Sequence, residues 1–164
     1  MSANITRVHL TFVVSISLLL SACGFHLRGQ IDVPESLMRM HVKGNDIELV
    51  RDVERSLKFS DIELLDSESG AAVLDLSDAS YLKEVNGTDN SGIATSYKLK
   101  YTVNYVVYDP EQQVIQRHKV FQDRILGYDA GDILLFEREE LFLVEEMRKE
   151  LVSQILRRMS KIQS

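Results

Sequence analysis

Six alternate residues, Tyr97, Leu99, Tyr101, Val103, Tyr105 and Val107, are apolar or aromatic, while Ser96, Lys98, Lys100, Thr102 and Asn104 between them are polar. A period of two predicts a strand with one face packed on a core and the other open to solvent or a ligand. Tyr108-Asp109-Pro110-Glu111-Gln112 predicts a turn, and the chain returns as a further strand from Val114 to about Leu126. Upstream, the apolar positions begin on even numbers (Ala72, Leu74, Leu76) and continue on odd ones (Ala79, Tyr81, Val85). A phase slip of that kind near Ser77-Asp78 predicts a β-bulge. Residues 86–92 (NGTDNSG) are rich in turn formers and are expected to be a mobile loop. The three strands read as an antiparallel meander.

Helical spacing flanks this meander. Asp46 is a fair helix cap, and Ile47, Val50, Val53 and Leu57 follow at steps of three, three and four, with charged residues on the other side. Residues 37–42 (LMRMHV) before it read as a short strand ending at Gly44-Asn45. Near the carboxyl end, Leu141, Val144, Met147, Leu151, Ile155, Met159 and Ile162 predict a long helix, with Phe136, Phe142, Leu143 and Leu156 widening its apolar stripe. Its acidic residues come early and its basic ones late, which suits the helix dipole. Strand, helix, three strands, helix predicts an α+β two-layer sandwich: a small, mostly antiparallel four-stranded sheet with two helices on one face.

The amino-terminal residues follow neither period. Arg7 precedes residues 10–20 (LTFVVSISLLL), which carry no charge, and then comes the small pair Ser21-Ala22. Charged, apolar and small segments in that order form a secretory signal peptide, and the apolar run is too short for a stable transmembrane span. Leu20-Ser21-Ala22-Cys23 resembles the bacterial lipobox, whose cysteine is acylated after cleavage just before it. The expected organisation is a signal peptide over residues 1–22, a lipidated tether over 23–34 and one domain over 35–164. Acyl chains on Cys23 would anchor the chain. Gly24, in place of the aspartate that tends to retain lipoproteins in the inner membrane, favours the periplasmic side of the outer membrane.

Composition narrows the chemistry. The chain has 164 residues, enough for one ordinary domain, and one cysteine, so no internal disulfide can form. A net charge of -6 is the wrong sign for a surface that grips nucleic acid. Cleavage before Cys23 would remove only Arg7, leaving 18 basic (19 minus 1) and 25 acidic side chains. His26, His41 and His118 stand apart, with no partner at metal-ligand spacing. Neither a nucleophile motif nor a phosphate-binding glycine loop is present. No catalytic residue, metal or cofactor is predicted, and the chain does not read as an enzyme. Lys98 and Lys100 share the polar face of the best strand, and Arg117, Lys119 and Arg124 lie on the next. They read first as a solvated sheet face and second as a local anion site. Arg117 and Lys119 share parity with Ile115 and Phe121, which would turn them toward the other layer.

Cys23-Gly24-Phe25-His26-Leu27-Arg28-Gly29 resembles the mature amino terminus of the LptE (RlpB) family of lipopolysaccharide-assembly lipoproteins. Val33-Pro34, Val103-Asn104, residues 119–121 (KVF), 144–147 (VEEM) and 154–158 (QILRR) extend the likeness along the mature chain. The resemblance implies a two-layer sandwich acting as plug and assembly partner of the LptD β-barrel, in a 1:1 complex that delivers lipopolysaccharide to the outer leaflet. In that family basic side chains have been linked to lipopolysaccharide phosphates. Here Glu145 matches one such position, and Asn90 and Ser91 stand where the loop would carry arginine, so those roles do not transfer. Lys98, Lys100 and Arg117 are the remaining candidates for lipopolysaccharide contact. A stand-alone lipid or lipopolysaccharide carrier is the alternative.

Overall fold

The computed structural model describes residues 33–162; the signal peptide and Cys23 lie outside that range. A 3-10 turn, Glu35–Leu37, leads into strand β1 (Arg39–Gly44), then helix α1 (Ile47–Phe59), strands β2 (Glu63–Leu64), β3 (Ala72–Thr88), β4 (Ala94–Tyr108) and β5 (Val114–Gly127), and helix α2 (Ile133–Met159). One sheet runs in the order β2-β1-β3-β4-β5, with both helices on one face.

The sheet corrects the expected topology: it has five strands and is mixed, not four and mostly antiparallel. β1 pairs in parallel with both β2 and β3, while β3–β4 and β4–β5 are antiparallel. The cause is α1. It carries the chain from the end of β1 back along the sheet, so the next strand must enter in the same direction. β2 is only two residues long, too short to show any period in the sequence.

The bulge falls where the phase slip put it, between Asp75 and Asp78. Asn45 fills the gap from the neighbouring strand end: its Nδ2 donates to the Ala79 carbonyl at 2.8 Å, and its Oδ1 accepts from the Ala79 N–H at 3.1 Å. Beyond the bulge Ala79 and Tyr81 turn inward and their odd-numbered set continues the inner face. Residues 86–92 are shorter as a loop than expected. Pairing continues through Gly87–Ser96 and Thr88–Ala94, which leaves a tight turn over 89–93. The turn over 109–113 is built alike. In each, an aspartate oxygen accepts the N–H four residues on, at 2.9 Å (Asp89 to Ile93) and 2.8 Å (Asp109 to Gln113). Gly92 and Gln112 take positive φ at equivalent places, +80° and +62°.

The inner face of β4 is core as the alternation demands: Leu99, Tyr101, Val103, Tyr105 and Val107 are all buried. They pack with Leu49, Val53 and Leu57 of α1 and with Met147, Leu151, Ile155 and Met159 of α2. Three residues of the expected helix stripes are exposed instead of core. Ile47 is 73% exposed, Leu141 72% and Phe142 65%. A step of three leaves the chain about 60° short of a full turn. Two such steps back from Met147 put Leu141 about 120° off the packed side. Phe136, Glu140 and Leu143, within about 40° of Met147 by the same count, carry that side toward the amino end.

Candidate functional site

The face of the sheet away from the helices is open. Along β4 it carries Lys98, Lys100, Thr102 and Asn104, and the β5 residues opposite them are Ile125, Asp123, Phe121 and Lys119. Arg117 lies opposite Val106 on this same face. Arg117 and Lys119 therefore do not turn toward the helices. Their parity with Ile115 and Phe121 misleads because those two apolar residues are themselves exposed on the outer side. Arg124 alone of the five cations faces inward, where its guanidinium meets Glu150 of α2 at 2.7 Å.

The outer cations do not form one cluster. Lys98 and Lys100 are adjacent, but Arg117 pairs with Val106, six residues further along β4, which is about 20 Å away. Lys98 Nζ sits 3.6 Å from Asp123 and faces Glu84 across the β3 pairing, so its charge is partly offset. Lys100 makes no ion pair among the described residues. Leu82, Phe121 and Ile125 stand exposed among these charges. The surface is a mixed band of cations, acids and large apolar groups.

A second open surface lies on the opposite side of the domain, on the first half of α2. Three rings pin this end of the helix to the sheet. Phe136 sits 5.5 Å from Tyr97 and 5.0 Å from Tyr128, measured between centroids. One turn on, Glu140 accepts hydrogen bonds from the Tyr81 hydroxyl at 2.8 Å and from Lys83 Nζ at 2.7 Å. Burial, helped by that carboxylate, pushes the Tyr81 phenol well above its usual range. With Phe136 and Glu140 facing the sheet, Leu134, Leu135, Leu141 and Phe142 face away and are exposed. They form two pairs seven residues apart, about two turns of helix, on one outward stripe. That repeat is legible in the sequence, but only the position of Phe136 tells which side it occupies.

Between the layers, polar contacts lock α1 and α2 to the core. The Tyr101 hydroxyl donates to Asp46 Oδ2, and Asp46 Oδ1 caps α1 by accepting the Leu49 N–H at 3.0 Å. Arg148 of α2 donates to Asp52 of α1 at 2.7 Å, with both side chains largely buried. Burial and the bond to Asp46 raise the Tyr101 phenol well above its usual range, so it is a neutral donor at physiological pH. His41 Nδ1 lies 2.8 Å from the Leu65 carbonyl oxygen. A carbonyl can only accept, so Nδ1 carries the proton and His41 tethers the chain after β2. Glu145, which stands at the position discussed above, is an ionised partner of Lys149; that hydrogen bond holds its carboxyl below the usual range. Among the described residues no three His, Cys, Asp or Glu side chains converge to hold a metal, and no helix is long and apolar enough to cross a membrane.

The LptE family, described as lipopolysaccharide-assembly, matches residues 37–159, three quarters of the chain and every strand and helix of the sandwich. The chain belongs to the LptE family. Two curated members, each called LPS-assembly lipoprotein LptE, lie close in sequence. The protein from Photorhabdus laumondii is 29% identical over 155 residues, covering 92% of this chain and 84% of its own. The Pectobacterium atrosepticum protein is 26% identical over 161 residues, covering 93% and 85%. Among solved structures, lipoprotein B from Nitrosomonas europaea superposes with a TM-score of 0.70 at 25% identity, over 84% of this chain and 90% of that one. Rare lipoprotein B from Shewanella oneidensis gives 0.65 at 27% identity, over 74% and 93%. These two solved structures share the sandwich fold described above.

Proposed function

We infer that this LptE-family protein is a lipoprotein of the outer membrane, anchored on its periplasmic side through acyl groups on Cys23. There it acts as plug and assembly partner of the LptD β-barrel, in a 1:1 complex that delivers lipopolysaccharide to the outer leaflet. Family membership supports the pathway. The observation that favours a plug over a one-sided partner is the placement of exposed apolar groups on two opposite faces: Leu82, Phe121 and Ile125 on the sheet, and Leu134, Leu141 and Phe142 on α2. Exposed apolar patches of this kind mark partner surfaces. A partner that covers both must pass around the domain, which a closed barrel does. The charges interspersed on the sheet suit a lumen lined by polar side chains.

Purification through a carboxyl-terminal tag from a mild detergent extract should recover a large outer-membrane barrel in near equal amount. Phe121→Asp and Leu141→Asp, on opposite faces, should each lower that recovery. A free monomer from wild-type extracts would sink the reading, and loss on one face only would replace the plug with a one-sided contact. Mass spectrometry of the mature amino terminus tests acylation of Cys23 separately. We assign lipopolysaccharide phosphate contact to Lys98 and Lys100, with Arg117 further along the same face. Lys98→Glu/Lys100→Glu should reduce the lipopolysaccharide that accompanies the purified complex, and an unchanged amount would withdraw the assignment.

A further inference from the structure

A concave groove of about 530 Å³ lies where the start of β5 meets the last turns of α2, lined by Gln116, His118, Gln154, Arg157, Arg158 and Lys161 among others. Among the described residues no carboxylate lines it, although the chain as a whole is acidic, with 25 acidic against 19 basic side chains. Arg157, Arg158 and Lys161 form no ion pair among the described residues, unlike Arg39, Arg51, Arg55, Arg124 and Arg148 elsewhere in the domain. Three cations around one concavity, with no ion-pair partner among the described residues, make a local positive field in a negative protein.

The plain alternative is that these cations only complement the negative end of the α2 dipole. That end amounts to about half an elementary charge. It is also largely satisfied: Ser160 N–H bonds the Leu156 carbonyl at 3.0 Å, Lys161 N–H bonds Arg158 at 3.1 Å, and Gln116 Nε2 donates to the Arg158 carbonyl at 3.3 Å. Three full positive charges exceed what it can neutralise. Guanidinium groups present forked donors suited to phosphate oxygens, and Gln154, His118 and Lys161 add further polar groups around them.

The groove lies far from Lys98 and Lys100, at the opposite end of the sheet. β5 begins there, β1 begins there, and the chain reaches that end through Val33 and Pro34. Cys23 is ten residues before Val33, within about 36 Å of fully extended chain. On the reading that Cys23 is acylated, this basic end of the domain is held within reach of a phospholipid surface.

We propose that the groove formed by Gln116, His118, Arg157, Arg158 and Lys161 is a phosphate-binding site, distinct from the sheet face and filled either by a phospholipid headgroup or by free phosphate. The test uses the purified full-length protein in neutral-detergent micelles, with the backbone and His118 ring signals followed by NMR. One arm titrates inorganic phosphate against sodium chloride of equal ionic strength; the other replaces part of the detergent by phosphatidylglycerol or by phosphatidylcholine. Saturable shifts at Gln116, His118 and Arg158 are expected with phosphate and not with chloride. They should be lost in Arg157→Gln/Arg158→Gln/Lys161→Gln and kept in Lys98→Glu/Lys100→Glu. Shifts with phosphatidylglycerol and not phosphatidylcholine identify an anionic headgroup, and shifts with inorganic phosphate alone identify the free ion. Equal responses to phosphate and chloride, or a response that survives the triple substitution in a protein of unchanged circular dichroism, would overturn the site. Acylation of Cys23 is read from the mass of the same sample, so its failure is separable from that of the groove.

Discussion

The Tyr101 hydroxyl on β4 donates to the same Asp46 carboxylate that caps α1. One half-buried acid thus starts a helix and ties it to the central strand, joining the two layers. Four residues along the strand, Tyr105 faces the same core, but its hydroxyl is buried with no hydrogen-bond partner among the described residues.

This contrast predicts opposite signs for the same substitution. Tyr101→Phe should destabilise by about 1 kcal/mol, because a made hydrogen bond is lost and Asp46 keeps only its cap. Asp46→Ala should cost about 2 kcal/mol or more, since it removes the cap and leaves the Tyr101 hydroxyl unpaired. Tyr105→Phe should be neutral or stabilising by up to about 1 kcal/mol, because it removes a desolvated hydroxyl that bonds nothing. Urea denaturation of the four proteins, with a Tyr101→Phe/Asp46→Ala double variant, gives the coupling. Additive effects at 101 and 46 would show that the bond contributes nothing.

Stability should fall at high pH through these tyrosines. Burial raises the Tyr101 phenol above its usual range and pushes Tyr105 up to about 12. As pH rises past about 10 the unfolded chain releases phenolic protons that the folded chain keeps, so folding binds more protons and stability declines. The slope should approach about 1.4 kcal/mol per pH unit for each fully buried tyrosine. Urea midpoints measured from about pH 9 to about pH 11 should drop less steeply in Tyr101→Phe/Tyr105→Phe. An identical decline in that variant would assign the effect to other groups.

Gly44 sits where the end of β1 meets α1 and β3. A Cβ there would lie 2.8 Å from Val50 Cγ2 and 3.0 Å from the Leu76 Cβ. Gly44→Ala should destabilise by about 1–3 kcal/mol through overpacking. A thermal midpoint equal to the wild type would mean that α1 can shift outward without cost.

The twin turns make a paired prediction. Gly92 and Gln112 hold equivalent positive φ angles, yet only one is glycine. Gly92→Ala should cost about 1 kcal/mol, and Gln112→Gly should be neutral or slightly stabilising, as relief of the left-handed backbone is offset by added freedom in the unfolded chain. Calorimetry of the two variants checks the order; a more stable Gly92→Ala protein would refute it.

Hydrogen exchange probes the amino-terminal half of α2, which rests on Phe136 and Glu140. Phe136→Ala empties the space between Tyr97 and Tyr128, so amides over residues 133–143 should exchange faster while those over 147–159 stay protected. Uniform loss along the whole helix would show that α2 opens as one unit.

Much of this protein was written in the order of its residues. Alternation of apolar and polar residues determined the faces of β4, the phase slip determined the bulge, and Asp46 determined where α1 begins, because each depends on backbone period or on neighbours in the chain. Cys23 and the six residues after it, together with Val33-Pro34, carry the resemblance to the LptE family in the sequence alone. Three matters waited for the tertiary structure. Parallel entry of β2 and β3 beside β1 depends on where α1 returns the chain, which no local pattern encodes. Leu134, Leu141 and Phe142 are as apolar as Met147, and only the anchoring of Phe136 and Glu140 on the sheet decides that they face outward. The cations divide in the same way. Period two places Lys98, Lys100 and Arg117 on a face without giving the distance between them, and residues 116 and 157–161, far apart in the chain, meet in one groove because α2 runs back antiparallel to β5.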